Sequence, residues 1–135
     1  VVDQIIRRFE NENAIVIYVP DHGEESFNGS LPFYGRMHSA DIDYRLAREE
    51  FEIPFWIWAS DEYRMTHPYG WKAIQEYRHC PLMTDALPHS LLFLGGIHSN
   101  YYRKNYDVLN AEYNTQRPRV LKMTTDYNHL NKTSR

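Results

Sequence analysis

An aspartate and a histidine stand side by side where an apolar run ends in this 135-residue chain. The run covers residues 14–19 and leads through Pro20 into Asp21, His22 and Gly23. A carboxylate oxygen and a neutral imidazole nitrogen are both good ligands for zinc. In α/β proteins, ligands collect just beyond the carboxyl ends of strands. We therefore interpret Asp21 and His22 as half of a metal site.

The two residues can share one ion only if the strand ends before them, because neighbouring side chains of a strand point to opposite faces. Gly23 fits this requirement, since glycine permits a sharp change of chain direction. Glu24 is predicted to orient His22 or to position a substrate, as outer groups of metal sites do. The alternative stays open that Asp21 only caps backbone groups and that His22 is an exposed neighbour.

The elements that position this pair indicate an α/β fold. Residues 1–9 place apolar side chains on one helical face. Residues 14–19 form a continuous β-branched and aromatic run, which is typical of a strand covered on both faces. We predict a mainly parallel sheet flanked by helices. Since the first strand of such a unit would precede residue 1, residues 1–135 are expected to be an incomplete portion of a domain.

The rest of the chain continues this alternation of helices and strands. A long glycine-containing loop is predicted between the first two strands, and loops of that length in compact domains are usually functional or disordered. The predicted elements are the loop at 20–40, helices over 39–50, 69–79 and 84–94, and strands over 53–58 and 119–123.

Composition narrows the function classes. The formal net charge is −3, which gives no reason to expect nucleic-acid binding. No apolar run approaches the ~18–20 residues that a membrane-spanning helix needs. The single cysteine, Cys80, excludes a disulfide within the chain.

Three segments, in this order, resemble the bacterial phosphoethanolamine transferases of the alkaline-phosphatase and sulfatase superfamily. The first is Tyr-Val-Pro-Asp-His-Gly-Glu-Glu at 18–25, the second is Ile-Pro-Phe-Trp-Ile-Trp at 53–58, and the third is the apolar helix within 83–97. Gly-Arg-Met-His at 35–38 lies between the first two and resembles the family's further histidine motif. The resemblance covers about residues 1–123.

The resemblance implies that residues 1–135 are the C-terminal portion of an alkaline-phosphatase-like catalytic domain. It implies that Asp21 and His22 are two ligands of the catalytic zinc. His38 matches the histidine that contacts the transferred phosphoryl group or a second zinc. The family's threonine nucleophile and its remaining zinc ligands lie upstream of this motif, so the resemblance assigns no catalytic residue to this chain.

The activity implied is the metal-dependent transfer of phosphoethanolamine from a phospholipid donor to lipopolysaccharide, at lipid A or the core. The parent protein would be membrane-anchored, with this soluble portion on the periplasmic face of the bacterial inner membrane. The isolated chain is expected to be inactive, because it lacks the nucleophile, and to bind zinc weakly. It is also expected to self-associate or to be marginally stable, because missing strands would leave sheet edges and apolar helix faces uncovered.

Two alternatives remain open at this point. One is another hydrolase or transferase of the superfamily, such as a sulfatase or a phosphoglycerol transferase, because the metal motif is shared. Cys80 does not fit the sulfatase motif Cys-x-Pro-x-Arg, since Pro81 follows it directly. The other is a non-catalytic interaction domain that retains the fold, in which Asp21 and His22 are remnants.

Overall fold

The chain forms two compact units, each built from two separate stretches of sequence. A computed structural model describes residues 1–26, 34–36 and 41–132. The first unit comprises Val1–Ile17 and Ile57–Arg117, and the second comprises Tyr18–Trp56 and Pro118–Arg135.

Five α-helices lie in the described part of the chain, and side-chain caps mark where two of them begin. The Asp43 side chain accepts a hydrogen bond from Leu46 N at 2.8 Å, and the Ser60 side chain accepts one from Tyr63 N at 3.1 Å. Such bonds satisfy backbone donors that the first helical turn leaves free. The helices are α1 (Val2–Phe9), α2 (Tyr44–Phe51), α3 (Asp61–Thr66), α4 (Pro68–Tyr77) and α5 (Leu87–Leu94).

The strands are short and pair two by two. They are β1 (Ile15–Tyr18), β2 (Glu25–Ser26), β3 (Tyr34–Gly35), β4 (Trp56–Ala59), β5 (Val120–Leu121) and β6 (Thr125–Asp126). The sheets are β1–β4, β2–β3 and β5–β6. In the second sheet, Glu25 lies opposite Gly35 and Ser26 lies opposite Tyr34.

The predicted mainly parallel sheet is not found among the described residues. The β2–β3 and β5–β6 pairs are antiparallel. Ser60 N, just after β4, donates to Ala14 O, just before β1, at 2.9 Å, so these two strands also run in opposite directions. The prediction assumed that β1 is covered on both faces, but its residues are half-buried and Tyr18 is 41% exposed. Partial exposure is what antiparallel pairing tolerates.

The core of the first unit is formed by helices α4 and α5 and by the loop that follows α5. Its buried side chains are Ile74, Leu94, Val108 and Leu109. Partly buried residues from β1 and β4 pack against them, and so does Cys80. Cys80 therefore serves as a small apolar filler in this core.

The core of the second unit joins α2 to the end of the chain. Ala47 of α2 is buried together with Leu121 of β5 and Tyr127, which follows β6. Ile42, Tyr44, Phe51 and Leu130 pack around this cluster. The last fifteen described residues thus hold α2 in place.

Helix α1 leaves its apolar face partly exposed. Val2, Ile5 and Phe9 are exposed, and no residue of α1 is buried. None of the helices in the described ranges has the length and apolar character needed to cross a membrane.

Candidate functional site

Asp21 and His22 lie just beyond the end of β1, as the sequence predicts. Because β1 ends at Tyr18, the two side chains are released from the alternation of a strand. Asp21 Oδ1 accepts a hydrogen bond from His22 N at 3.1 Å, which ties the aspartate to its neighbour. The Asp21 side chain is 88% exposed and the His22 side chain 32% exposed, so the pair faces solvent.

The backbone fixes the tautomer of His22. Its Nδ1 lies 2.9 Å from Gly23 O, and a carbonyl oxygen can only accept a hydrogen bond. Nδ1 therefore carries the proton in the neutral ring, and Nε2 keeps its lone pair. Metal-binding histidines are commonly oriented in this way, with the second nitrogen bonded to a carbonyl.

The two potential ligand atoms are spaced for a shared ion. His22 Nε2 lies 3.6 Å from Asp21 Oδ2. Zinc–ligand bonds of about 2.1 Å that meet at a tetrahedral angle hold their ligand atoms about 3.4 Å apart. Tautomer and spacing together mean that Asp21 and His22 fit two corners of a zinc site.

Gly23 attaches this pair to the C-terminal end of α2. Its N–H donates to Glu50 O at 3.0 Å. A Cβ at position 23 would lie 2.2 Å from Glu49 O, which is a backbone atom. Only glycine allows this close approach, so the third residue of the Asp-His-Gly motif serves to dock the first two on α2.

The predicted outer residue, Glu24, is exposed, and the contact that orients the His22 ring comes from Gly23 instead. The next residue, Glu25, is only 2% exposed, and its Oε1 has no hydrogen-bond partner among the described residues. The role of Glu24 toward a substrate stays a prediction.

His38 lies outside the described residues, so its predicted contact with a phosphoryl group also stays a prediction. Within residues 1–26, 34–36 and 41–132, no three histidine, cysteine, aspartate or glutamate side chains are grouped so that they could hold a metal. At the Asp21–His22 site, the described residues thus provide these two potential ligands.

Sequence reasoning gave no role to Arg36, which directly follows β3. Its Nε is buried, and it has no hydrogen-bond partner among the described residues. One feature of the sequence could have indicated a role for Arg36: it belongs to the Gly-Arg-Met-His segment, which is close in sequence to the Asp-His-Gly motif.

A second polar cluster, in the first unit, is fully hydrogen-bonded. Asp107 is completely buried, and its Oδ1 accepts from Ser90 Oγ at 2.7 Å and from Leu109 N at 3.0 Å. Its Oδ2 accepts from Tyr102 Oη at 2.7 Å, and Asn110 Nδ2 donates to the same Oη at 3.1 Å. Burial and the bond to Asp107 raise the pKa of Tyr102 to about 12. The cluster fixes the loop after α5 to that helix.

Comparison with known proteins supports the resemblance drawn from the sequence. No family model matches the chain. The chain has the fold of the periplasmic domain of a phosphoethanolamine transferase. The solved structure is the C-terminal periplasmic domain of EcEptC from Escherichia coli, with a TM-score of 0.74 and 24% identity, covering 96% of this chain and 37% of that chain.

In sequence, the chain is 26% identical over 115 residues to phosphoethanolamine transferase EptC of Escherichia coli strain K12. The match covers 84% of this chain and 19% of that protein, so the chain spans about a fifth of the length of this curated relative. The similarity to a fragment of a phosphoethanolamine transferase, predicted from three segments, is confirmed.

Proposed function

We propose that this chain is the C-terminal part of the catalytic domain of a metal-dependent phosphoethanolamine transferase. The parent protein would transfer phosphoethanolamine from a phospholipid to lipopolysaccharide on the periplasmic side of the bacterial inner membrane. The observation that carries the proposal is the Asp21–His22 pair, whose ligand atoms are 3.6 Å apart. The fold match and the sequence match to EptC support it.

Asp21 Oδ2 and His22 Nε2 would hold the zinc ion together with ligands from elsewhere in the parent polypeptide. Zinc bound there would make a hydroxyl nucleophile more acidic and balance charge on the phosphoryl oxygens. Gly23 keeps its carbonyl against His22 Nδ1 and so presents Nε2 to the ion. His38 is proposed to contact the phosphoryl group, and Glu24 to position the substrate.

The test is a transfer assay with the full-length polypeptide that carries this chain. Vesicles containing phosphatidylethanolamine and lipid A would be used with the wild-type protein and with the variants Asp21→Asn and His22→Gln. We expect each variant to lose about 100-fold or more of the activity, together with bound zinc, because ligands of a catalytic metal are removed. Asp41→Asn, which alters an exposed aspartate of the same unit, is the matched control.

Full activity in the Asp21→Asn and His22→Gln variants would contradict the proposal. Transfer from phosphatidylglycerol instead of phosphatidylethanolamine would identify a phosphoglycerol transferase, and hydrolysis of a sulfate ester would identify a sulfatase. A folded full-length protein that neither binds zinc nor transforms any of these substrates would be a non-catalytic interaction domain.

A further inference from the structure

Arg36 carries a buried hydrogen-bond donor that no described residue pairs with. Its Nε is shielded from solvent and has no hydrogen-bond partner among the described residues. Leaving a buried donor of a charged group without a partner costs free energy. We therefore expect this guanidinium to have an anionic partner when the protein binds its ligand.

Arg36 directly follows the β2–β3 pair, and Glu24 directly precedes it. Glu25 lies opposite Gly35 at the end of this pair, and the antiparallel register continued by one step beyond it would set Arg36 across from Glu24. Facing residues of such a pair are about 4.5–5.5 Å apart between Cα atoms. Glu24 in turn directly follows Gly23, which docks His22 on α2.

A guanidinium at this position suits a phosphate group. Its planar array of donors matches phosphate oxygens and binds two of them at once, which an ammonium group cannot do. The pair Asp21 and His22 fits a zinc ion, which also attracts phosphoryl oxygens.

We propose that Arg36 is a phosphate-binding residue of the Asp21–His22 site and that Nε donates to a phosphate oxygen of the substrate. The inference deepens the proposed function and rests on it for the identity of the substrate. The phosphate belongs either to the diester of the donor headgroup or to the monoester of the acceptor sugar.

The experiment is equilibrium dialysis of the full-length polypeptide against radiolabelled inorganic phosphate, which requires neither turnover nor a known acceptor. Arg36→Gln is expected to weaken phosphate binding at least tenfold, and Arg36→Lys to weaken it less, because the charge is kept while the paired donors are lost. Arg48→Gln, which removes an exposed guanidinium of α2, is the matched control and should bind phosphate as the wild type does.

Competition distinguishes the two sources of phosphate. If glycerophosphoethanolamine displaces the labelled phosphate in a way that depends on Arg36, Arg36 binds the phosphate of the donor. If glucose 1-phosphate displaces it in that way, Arg36 binds the phosphate of the acceptor. Unchanged phosphate affinity in Arg36→Gln, or no phosphate binding by the wild type, would overturn the inference.

Zinc content, measured on the same samples, separates this inference from the proposed function. Loss of phosphate binding with zinc retained supports Arg36 as the phosphate ligand. Arg36-dependent phosphate binding in a protein that holds no zinc would sustain the inference and refute the metal site. A lower melting temperature of Arg36→Gln with unchanged phosphate affinity would show a purely structural role and overturn the inference.

Discussion

At the residue scale, the carbonyl oxygen of Gly23 decides which nitrogen of His22 bears the proton. The sequence predicted the candidate ligands Asp21 and His22 and a need for glycine after them. It did not predict the reason for that glycine, because the contact is with backbone atoms of α2, some 26 positions later. Contacts between backbone atoms of distant segments leave no pattern of residue types to read.

Gly23→Ala is expected to destabilise the second unit. The new Cβ would lie 2.2 Å from Glu49 O, so the loop or the end of α2 has to move, at a cost of about 1–3 kcal/mol or more. Urea denaturation measures the loss. Gly96→Ala is the comparison: its φ is +63° but no atom lies within 4 Å, so only conformational strain of about 1–2 kcal/mol is expected. A smaller loss at position 23 than at position 96 would contradict the steric argument.

The 135-residue chain alone is expected to bind zinc weakly, with a Kd above about 1 µM, because zinc sites in proteins use at least three protein ligands. Titration calorimetry on the chain and on the Asp21→Ala/His22→Ala double variant tests this. The double variant should lose the residual heat of binding. Submicromolar affinity that survives the double substitution would place the metal elsewhere.

At the scale of elements, strong local signals were sufficient to predict helices, whereas the short strand pairings could not be predicted from the sequence. Helix α1 and the end of α5 at Leu94 follow from the sequence. The strands β2, β3 and β6 have two residues each, too few to show any periodicity. The direction of β4 against β1 depends on long-range pairing, which an apolar run does not encode. Arg36 was missed because its position depends on the β2–β3 pair.

The network around Asp107 predicts a specific response to alkali. The folded state raises the pKa of Tyr102 to about 12 from 10.0, so it favours the neutral phenol. Its contribution to stability is therefore complete below pH 10 and is lost as the pH rises from 10 toward 12. The difference in unfolding free energy between the wild type and Tyr102→Phe should shrink over that range.

Urea denaturation from about pH 8 to about pH 12 measures this difference. Tyr101→Phe alters the adjacent tyrosine, which is 85% exposed, and should leave the pH dependence as in the wild type. An identical pH dependence for the wild type and Tyr102→Phe would show that the bond to Asp107 does not favour the neutral phenol.

At the scale of the whole molecule, the partly exposed apolar face of α1 predicts self-association of the isolated chain. Val2, Ile5 and Phe9 are exposed on one helix, and burying such a side chain contributes about 1.5–3 kcal/mol. Ile5→Lys should weaken association by about tenfold or more. Sedimentation velocity over a range of concentrations measures it.

Gln4→Lys adds the same charge to the same helix at an exposed polar position and serves as the matched control. Equal weakening by the two substitutions would indicate a charge effect instead of an apolar contact. A monomer at all concentrations would contradict the prediction.

The core of the second unit is completed by residues that lie about a hundred positions after the Asp-His-Gly motif, which belongs to the same unit. Leu121 and Tyr127 pack on Ala47 of α2, and the end of α2 holds Gly23. A premature stop codon at position 118 would spare Asp21, His22 and every residue up to Arg117. We expect such an allele to behave nonetheless like the Asp21→Asn and His22→Gln variants, because the helix beneath the Asp21–His22 pair would lose its packing partners.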